Sequence, residues 1–242
     1  MNRINILGIK YCDIDIAEAV EHSVRSISAR EGGYILAPDS ELALSARKNR
    51  RIMAAVRSAE LVLPGDRGVF IASNILGMPL HYRMSGMDYV SALLARLSED
   101  GKSVFLLGAR EQTVQYAAGR IAARYPGIKI AGSADGRFVD DTELVAKINT
   151  ASPDLLLVCL SSPRQELWMA RNGPATGAHL LCGLGGSLDV FAGTVERAPK
   201  FWSDHGLEWF YRVQGAEAHR PDDEAAAVSC PCAAGERKAE MK

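Results

Sequence analysis

The sequence predicts an α/β fold: a doubly wound, mostly parallel, Rossmann-like sheet with helices on both faces. Two observations carry this prediction. Short apolar runs bounded by turn residues alternate with helical patterns along the chain, as parallel strands joined by crossover helices do. The 242 residues are 48% hydrophobic, which is enough for one full-sized core. We therefore expect a single α/β domain over residues 1–195, with a C-terminal appendage that starts at 196–212.

Seven apolar runs have the length and the flanking turn residues of buried strands. They are Ile4–Leu7, Tyr34–Ala37, Glu60–Leu63, Ser103–Leu107, Ile128–Ala131, Leu155–Leu160 and Ala178–Cys182. Between them lie helical patterns, among them Ile16–Ala29, Met87–Ser98, Glu111–Tyr125 and Thr142–Thr150. In such a sheet ligands bind beyond the carboxyl ends of the strands. The residues that follow each strand are therefore the candidates for a functional site.

Charge and hydropathy exclude some classes of protein. The net charge of −1 argues against a general nucleic-acid binder, which needs a basic excess to neutralise phosphates. The chain contains no run of about eighteen apolar residues, so we expect no membrane span. The N-terminus lacks the features of a signal peptide, so we expect a cytoplasmic protein. Cys12, Cys159 and Cys182 lie in apolar contexts without zinc spacing and are expected to be reduced core residues.

The stretch from Cys182 to Arg212 is the densest in candidate site residues. An apolar run gives way there to a glycine-rich turn and a helix start, where the backbone can approach a ligand and free N–H groups favour an anion. The glycines are Gly183, Gly185 and Gly186. The charged residues that follow include Asp189, Arg197 and Arg212. Such a turn is common in α/β proteins and does not define a site by itself.

Three segments of this stretch resemble the closing signature of the WecB/TagA/CpsF family of bacterial glycosyltransferases. They are G-L-G-G-S-L-D-V-F-A-G, R-A-P and G-L-E-W-F-Y-R. The resemblance implies an inverting transferase without a metal or other cofactor, peripheral to the cytoplasmic face of the cell membrane. It implies a UDP-sugar donor, with UDP-N-acetylmannosamine expected, and an acceptor of undecaprenyl-diphosphate-linked N-acetylglucosamine.

The resemblance also implies the catalytic residues. After the strand ending at Leu63, the family carries an Asp-Gly dipeptide whose aspartate is the proposed base, and this chain has Gly65-Asp66 in the inverted order. The base role is therefore assigned to Asp66. H-Y-R-M-S-G-M-D resembles the family's R-x-x-G-x-D, which makes Arg83 the expected diphosphate clamp.

Other strand ends supply expected substrate contacts. Asp39 stands where the family has the Asn of Thr-x-Asn, although it could simply cap the next helix. Gly108 follows a strand and is expected to let a nucleotide base or ribose lie close to the turn. Gln165 belongs to a segment that matches P-x-Q-E-x-W, and its amide can both donate to and accept from a sugar or uracil. Asp189 is expected to hold donor hydroxyls or the base.

The acidic D-x-D motif, Asp13-Ile-Asp15, precedes the first helix. A metal site in a transferase needs carboxylates at a strand end, so helix capping is the preferred interpretation. We expect activity without added Mg²⁺ or Mn²⁺.

Residues 213–242 have no amphipathic period and have the composition of a disordered tail. The family continues instead with L-x-x-E-P-x-R-x-x-R and a basic, apolar helix. If two bases were lost after the Arg212 codon, the tail recodes to this pattern with both arginine spacings, and Met241 with Lys242 yields a stop. We therefore hypothesise that residues 213–242 are a frameshifted segment, which resequencing of the gene around this codon would test.

Two other functions stay open from the sequence. One is a related transferase of glucose or another hexose for capsule or exopolysaccharide synthesis. The other is a non-catalytic nucleotide-sugar binding module. An NAD-dependent oxidoreductase is disfavoured because no G-x-G-x-x-G follows a strand. The sequence also leaves open whether the chain forms a homo-oligomer.

Overall fold

One parallel sheet of six strands organises the part of the chain that the structure describes. The structure is a computed structural model that describes residues 1–30 and 32–195. The strands are β3 (Gly33–Leu36), β4 (Leu61–Val62), β5 (Ser103–Gly108), β6 (Lys129–Ala134), β7 (Leu155–Cys159) and β8 (Leu180–Gly183). Their order is β4-β3-β8-β7-β5-β6, and every neighbouring pair is parallel. The predicted doubly wound α/β fold is confirmed.

Helices cover both faces of this sheet. They are α1 (Ile16–Ala29), α2 (Ser40–Lys48), α3 (Arg50–Arg57), α4 (Arg67–Ile75), α5 (Gly86–Glu99), α6 (Glu111–Arg124), α7 (Asp141–Ala151), α8 (Arg164–Asn172) and α9 (Ser187–Ala192). Side chains alternate between the two faces of a strand. In β5, Val104 and Leu106 therefore join one core cluster with α1, α5, α6 and α9, and Phe105 and Leu107 join another with α2, α3, α7 and α8. The four predicted helices begin and end within one residue of the observed bounds.

The first predicted strand is not part of the parallel sheet, contrary to the prediction. Residues Arg3–Ile6 form β1, but β1 pairs only with the antiparallel β2 (Ile9–Cys12) in a separate two-stranded sheet of the described residues. Leu7 and Gly8 turn the chain with φ of 55° and 88°, the positive values of a tight hairpin turn. Leu-Gly carries little turn signal, because leucine seldom adopts positive φ. The second strand was therefore missed.

The predicted appendage at 196–212 and the tail at 213–242 lie outside the described residues, as do Arg197 and Arg212. Within the described ranges, no helix combines the length and apolar character needed to cross a bilayer. The same ranges hold no group of three or more His, Cys, Asp or Glu side chains placed to bind a metal ion. The three cysteines of the described residues are buried and free, as expected for core residues: Cys12, Cys159 and Cys182.

Candidate active site

A cleft of about 400 Å³ opens at the carboxyl ends of β3, β4, β7 and β8. Its walls are the loops that follow these strands, together with the start of α5. Seven residues predicted for the site line it together: Asp39, Asp66, Arg83, Gln165, Gly183, Gly185 and Gly186. The parallel sheet therefore gathers residues from four separate strand ends into one cleft.

Asp39 and Asp66 both begin a helix at the wall of the cleft. Oδ1 of Asp39 accepts a hydrogen bond from the N–H of Leu42 at 2.7 Å, which confirms the expected cap of α2. Oδ2 of Asp66 accepts from the N–H of Val69 at 3.3 Å and from the N–H of Ser40 at 3.1 Å. Asp66 thus joins the starts of α4 and α2. Backbone donors fix the direction of each carboxylate.

Arg83 reaches the cleft from a loop that a buried carboxylate anchors. Oδ1 of Asp13 accepts from the backbone N–H of His81 at 2.8 Å and of Tyr82 at 3.3 Å. Nδ1 of His81 donates to Oδ2 of Asp13 at 2.6 Å. Burial opposes ionisation of Asp13, but these hydrogen bonds outweigh it and hold its pKa below the usual range. Of the D-x-D motif, only Asp15 caps a helix, accepting from Glu18 N at 2.8 Å.

Gln165 links the glycine turn to a buried carboxyl. Its Oε1 accepts from the N–H of Gly185 at 2.8 Å, and its Nε2 donates to Oε1 of Glu166 at 3.0 Å. Ser162 donates to the other oxygen of Glu166 at 3.3 Å. Glu166 is only 3% exposed. Burial, with a smaller contribution from the negative charge of Asp39, raises the pKa of Glu166 despite these hydrogen bonds.

The glycines of the turn after β8 have different structural roles. A Cβ on Gly183 would lie 2.5 Å from Cε of Met169 and 2.9 Å from both Nε2 of Gln165 and Cδ2 of Leu36, so these side chains would have to shift to make room for it. Gly185 has a φ of 51°, and a Cβ there would meet open space. Gly186 precedes α9, which has only six residues. Gly185, unlike Gly183, therefore leaves room for a ligand beside its backbone.

A second cavity of about 630 Å³ lies at the carboxyl ends of β5, β6 and β7. Asp189 lines this cavity rather than the cleft. Gly108 is buried at the end of β5 with a φ of 134°, and a Cβ there would collide with the carbonyl oxygen of Cys159. Its neighbour Ala109 lines the cavity. The structure therefore separates these two predicted contacts from the seven in the cleft.

Several residues that line the two cavities were not predicted from the sequence. Arg67, Ser162 and Glu166 also line the cleft. Three arginines line the second cavity: Arg110, Arg137 and Arg164. Arg164 donates to the carbonyl oxygen of Gly136 at 2.7 Å, and its guanidinium lies 4.4 Å from the ring centroid of Phe138. All six follow strand ends, so a complete survey of the loops after the strands would have found them.

The two cavities offer different chemistry. The cleft combines the carboxyls of Asp39, Asp66 and Glu166 with the guanidiniums of Arg67 and Arg83. Carboxylates can accept protons, and arginines can bind phosphate oxygens with two hydrogen bonds at once. The second cavity is dominated by arginines, which suits an anionic ligand.

The sheet and the position of the cleft define a Rossmann-like α/β protein of the kind that binds ligands at the carboxyl edge. Within that class, the chain belongs to the glycosyl transferase WecG/TagA/CpsF family, whose model matches residues 4–215. It is therefore a glycosyltransferase.

Three similar proteins bear the name N-acetylglucosaminyldiphosphoundecaprenol N-acetyl-β-D-mannosaminyltransferase. That of Bacillus spizizenii is 34% identical over 206 residues, which are 85% of this chain and 80% of the relative. That of Bacillus subtilis is 34% identical over 215 residues, covering 88% and 84% of the two chains. That of Staphylococcus aureus is 28% identical over 214 residues, covering 87% and 84%.

Proposed function

We propose that this chain transfers N-acetylmannosamine from UDP-N-acetylmannosamine to undecaprenyl-diphosphate-linked N-acetylglucosamine. The names of the similar Bacillus and Staphylococcus proteins state this sugar and this acceptor. The structural observation that carries the proposal is that Asp66 and Arg83 line one cleft at the carboxyl edge of the sheet. A transfer of this kind needs a base for the acceptor hydroxyl and a cation for the departing diphosphate.

In the proposed reaction the acceptor hydroxyl oxygen attacks the anomeric carbon of the donor sugar. Asp66 takes the hydroxyl proton as the new C–O bond forms. The bond between the anomeric carbon and the β-phosphate oxygen breaks, and UDP leaves with both electrons. Arg83 and the Gly183–Gly186 turn stabilise the negative charge on UDP. Attack from the face opposite UDP inverts the anomeric centre.

We place the nucleotide of the donor in the second cavity. Its three arginines suit a ribonucleotide diphosphate, and Asp189 offers a carboxylate to ribose hydroxyls. Ser161 lines this cavity, and the next residue, Ser162, lines the cleft. A donor whose diphosphate crosses this loop would bring the sugar to Asp66. We also propose that Gly108, Arg197 and Arg212 contact the UDP-sugar donor.

The proposed lipid-linked acceptor implies action at the cell membrane, and we propose its cytoplasmic face, as the family resemblance implies. The hypothesis that residues 213–242 are frameshifted also belongs to this proposal, because the recoded tail would supply two further arginines and a basic helix.

The test compares the present chain with one in which the C-terminal frame is restored. Each protein receives UDP-N-acetylmannosamine and a short-chain lipid-diphosphate-N-acetylglucosamine, and the release of UDP is followed with and without EDTA. We expect UDP release that requires both substrates and persists in EDTA. UDP-glucose as the only active donor would contradict the assignment of the sugar, and inactivity of both proteins with every donor would contradict the transferase.

A second candidate function is a non-catalytic nucleotide-sugar binding module. The observation that favours it is the engagement of Oδ2 of Asp66 by two backbone N–H groups, which gives this oxygen a structural role at the starts of α2 and α4. Calorimetry that detects UDP-sugar binding by a protein without turnover or donor hydrolysis would support this module over the enzyme.

A further inference from the structure

We infer that an exposed apolar segment beside the cleft, residues 71–82, is a contact surface for an anionic phospholipid bilayer. The inference rests on the proposed function, since an acceptor with an undecaprenyl chain must be met at a membrane. It concerns a surface formed by α4 and the loop that follows it.

Exposed apolar side chains are concentrated in this segment. Eleven large apolar side chains are exposed in the described ranges, and five of them fall within these twelve positions. They are Ile71, Ile75, Leu76, Met78 and Tyr82. Ile75 is the most exposed of the five, at 78%. Single exposed apolar residues are ordinary, but a contiguous group marks a surface that meets another apolar phase.

The orientation of α4 produces this group. Val69 and Ser73 lie four residues apart and are buried on the inner face of the helix. Ile71 and Ile75 have the same spacing on the outer face. An outer face that faced only water would carry polar side chains at these positions.

The loop after α4 is held in place rather than folded over the apolar side chains. The N–H of Met78 donates to the carbonyl oxygen of Ser73 at 2.9 Å, and the N–H of Leu80 donates to its hydroxyl at 3.2 Å. Asp13 binds the backbone of His81 and Tyr82 at the other end of the loop. The exposed side chains therefore belong to an ordered surface.

The charge of the surrounding segment fits an anionic bilayer. Between Asp66 and Asp88, residues 67–87 contain two arginines and no Asp or Glu. Arg67 precedes the apolar group and Arg83 follows it, and both are exposed and line the cleft. Cations next to an apolar surface favour binding to anionic headgroups. A bilayer in contact with this surface would lie at the mouth of the cleft, where a lipid-linked diphosphate has to enter.

The experiment uses the full 242-residue chain and three variants. The double variant Ile71→Ser/Ile75→Ser and the single variant Ile75→Ser remove apolar surface from α4. Val139→Ser is the matched control, since Val139 is a fully exposed apolar residue outside this segment. Binding is measured by co-sedimentation with vesicles of phosphatidylglycerol and phosphatidylethanolamine, and with vesicles of phosphatidylcholine alone. UDP release is measured with the short-chain, water-soluble acceptor.

We expect the double variant to bind the anionic vesicles about tenfold more weakly than the unchanged protein, because affinity scales with buried apolar area. The single variant should lose less affinity for the anionic vesicles, and Val139→Ser should lose none. All four proteins should bind phosphatidylcholine vesicles weakly. Turnover of the water-soluble acceptor should be equal in all four proteins.

Equal vesicle binding by the unchanged protein and the double variant would overturn the inference. So would a loss of self-association in the double variant without a loss of vesicle binding, since the surface would then meet a second copy of the chain. If vesicle binding depends on Ile71 and Ile75 but no protein shows turnover, the membrane-contact surface would be supported and the proposed transferase function rejected.

Discussion

The two cavities at the carboxyl edge of the sheet differ in the sign of their charge. The cleft mixes three carboxyls with two arginines. The second cavity has three arginines and the carboxylate of Asp189. They share the loop between β7 and α8, where Ser161 faces one and Ser162 the other. A site of mixed sign can move a proton beside a phosphate, whereas a site rich in arginine binds an anion.

This comparison predicts that variants in the two cavities have separable effects on turnover and on nucleotide binding. The largest effect is expected for Asp66→Asn. Asparagine also caps helices well, so the start of α4 should persist while the proposed base is lost. Turnover should fall by about 10²- to 10⁴-fold. UDP affinity, measured by calorimetry, should change little.

Asp140→Asn is the matched control, because Asp140 caps α7 through Thr142 N at 2.7 Å and lines neither of the two described cavities. It should leave turnover unchanged. An Asp66→Asn protein as active as this control would assign the base to another residue.

Arg137→Gln tests the second cavity. Hydrogen bonds to a charged ligand are worth about 1.5–3 kcal/mol, so the Kd for UDP should rise about tenfold to a hundredfold. The kcat at saturating donor should change much less, because Arg137 lies outside the cleft. Arg47→Gln, at the end of α2, is the control. A fall in kcat with no change in Kd would contradict the assignment of nucleotide binding to the second cavity and of turnover to the cleft.

Asp13→Asn tests the loop that carries Arg83. The variant keeps an oxygen for the backbone donors but loses the charged acceptor for His81. We expect a loss of about 1 kcal/mol in the free energy of unfolding at neutral pH, limited by solvent screening because the His81 side chain is largely exposed.

The pKa of Asp13 is lowered in the folded state, so its contribution is complete above the unfolded value of about 3.9 and is lost as pH falls through the folded pKa. Urea unfolding at several pH values should therefore show the difference between the two proteins shrinking in acid. A stability difference that does not change with pH would show that it does not come from the charge of Asp13.

The smallest effect is expected for Glu166→Gln. The pKa of Glu166 is raised in the folded state, so stability falls as pH rises above the unfolded value of about 4.3, until the folded pKa is passed. The variant should lack this fall and gain relative stability with rising pH in urea titrations. Glu143→Gln, at an exposed position of α7, should follow the unchanged protein. If the free energy of unfolding changed with pH equally in Glu166→Gln and the unchanged protein, Glu166 would not be the source of this pH dependence.

Most of the fold was predictable because periodic patterns and turn residues act locally. The four predicted helices agree within one residue. The hairpin was missed at Leu7-Gly8, where a positive φ occurs without the usual turn residues. Seven residues that line the cleft were predictable because they follow strand ends. The hydrogen bond of Gln165 with Gly185 was not, because these two residues meet only after β7 and β8 pair.

The sequence by itself determined the alternation of strands and helices and the candidate residues after each strand, since both depend on near neighbours in the chain. Only the tertiary structure decided that Asp66 and Arg83 share a cleft while Asp189 faces another cavity. It also decided that Glu166 is buried beside Asp39 and that Ile71 and Ile75 face outward. These outcomes depend on strand order and on helix rotation about the core, which are fixed by packing between segments far apart in sequence.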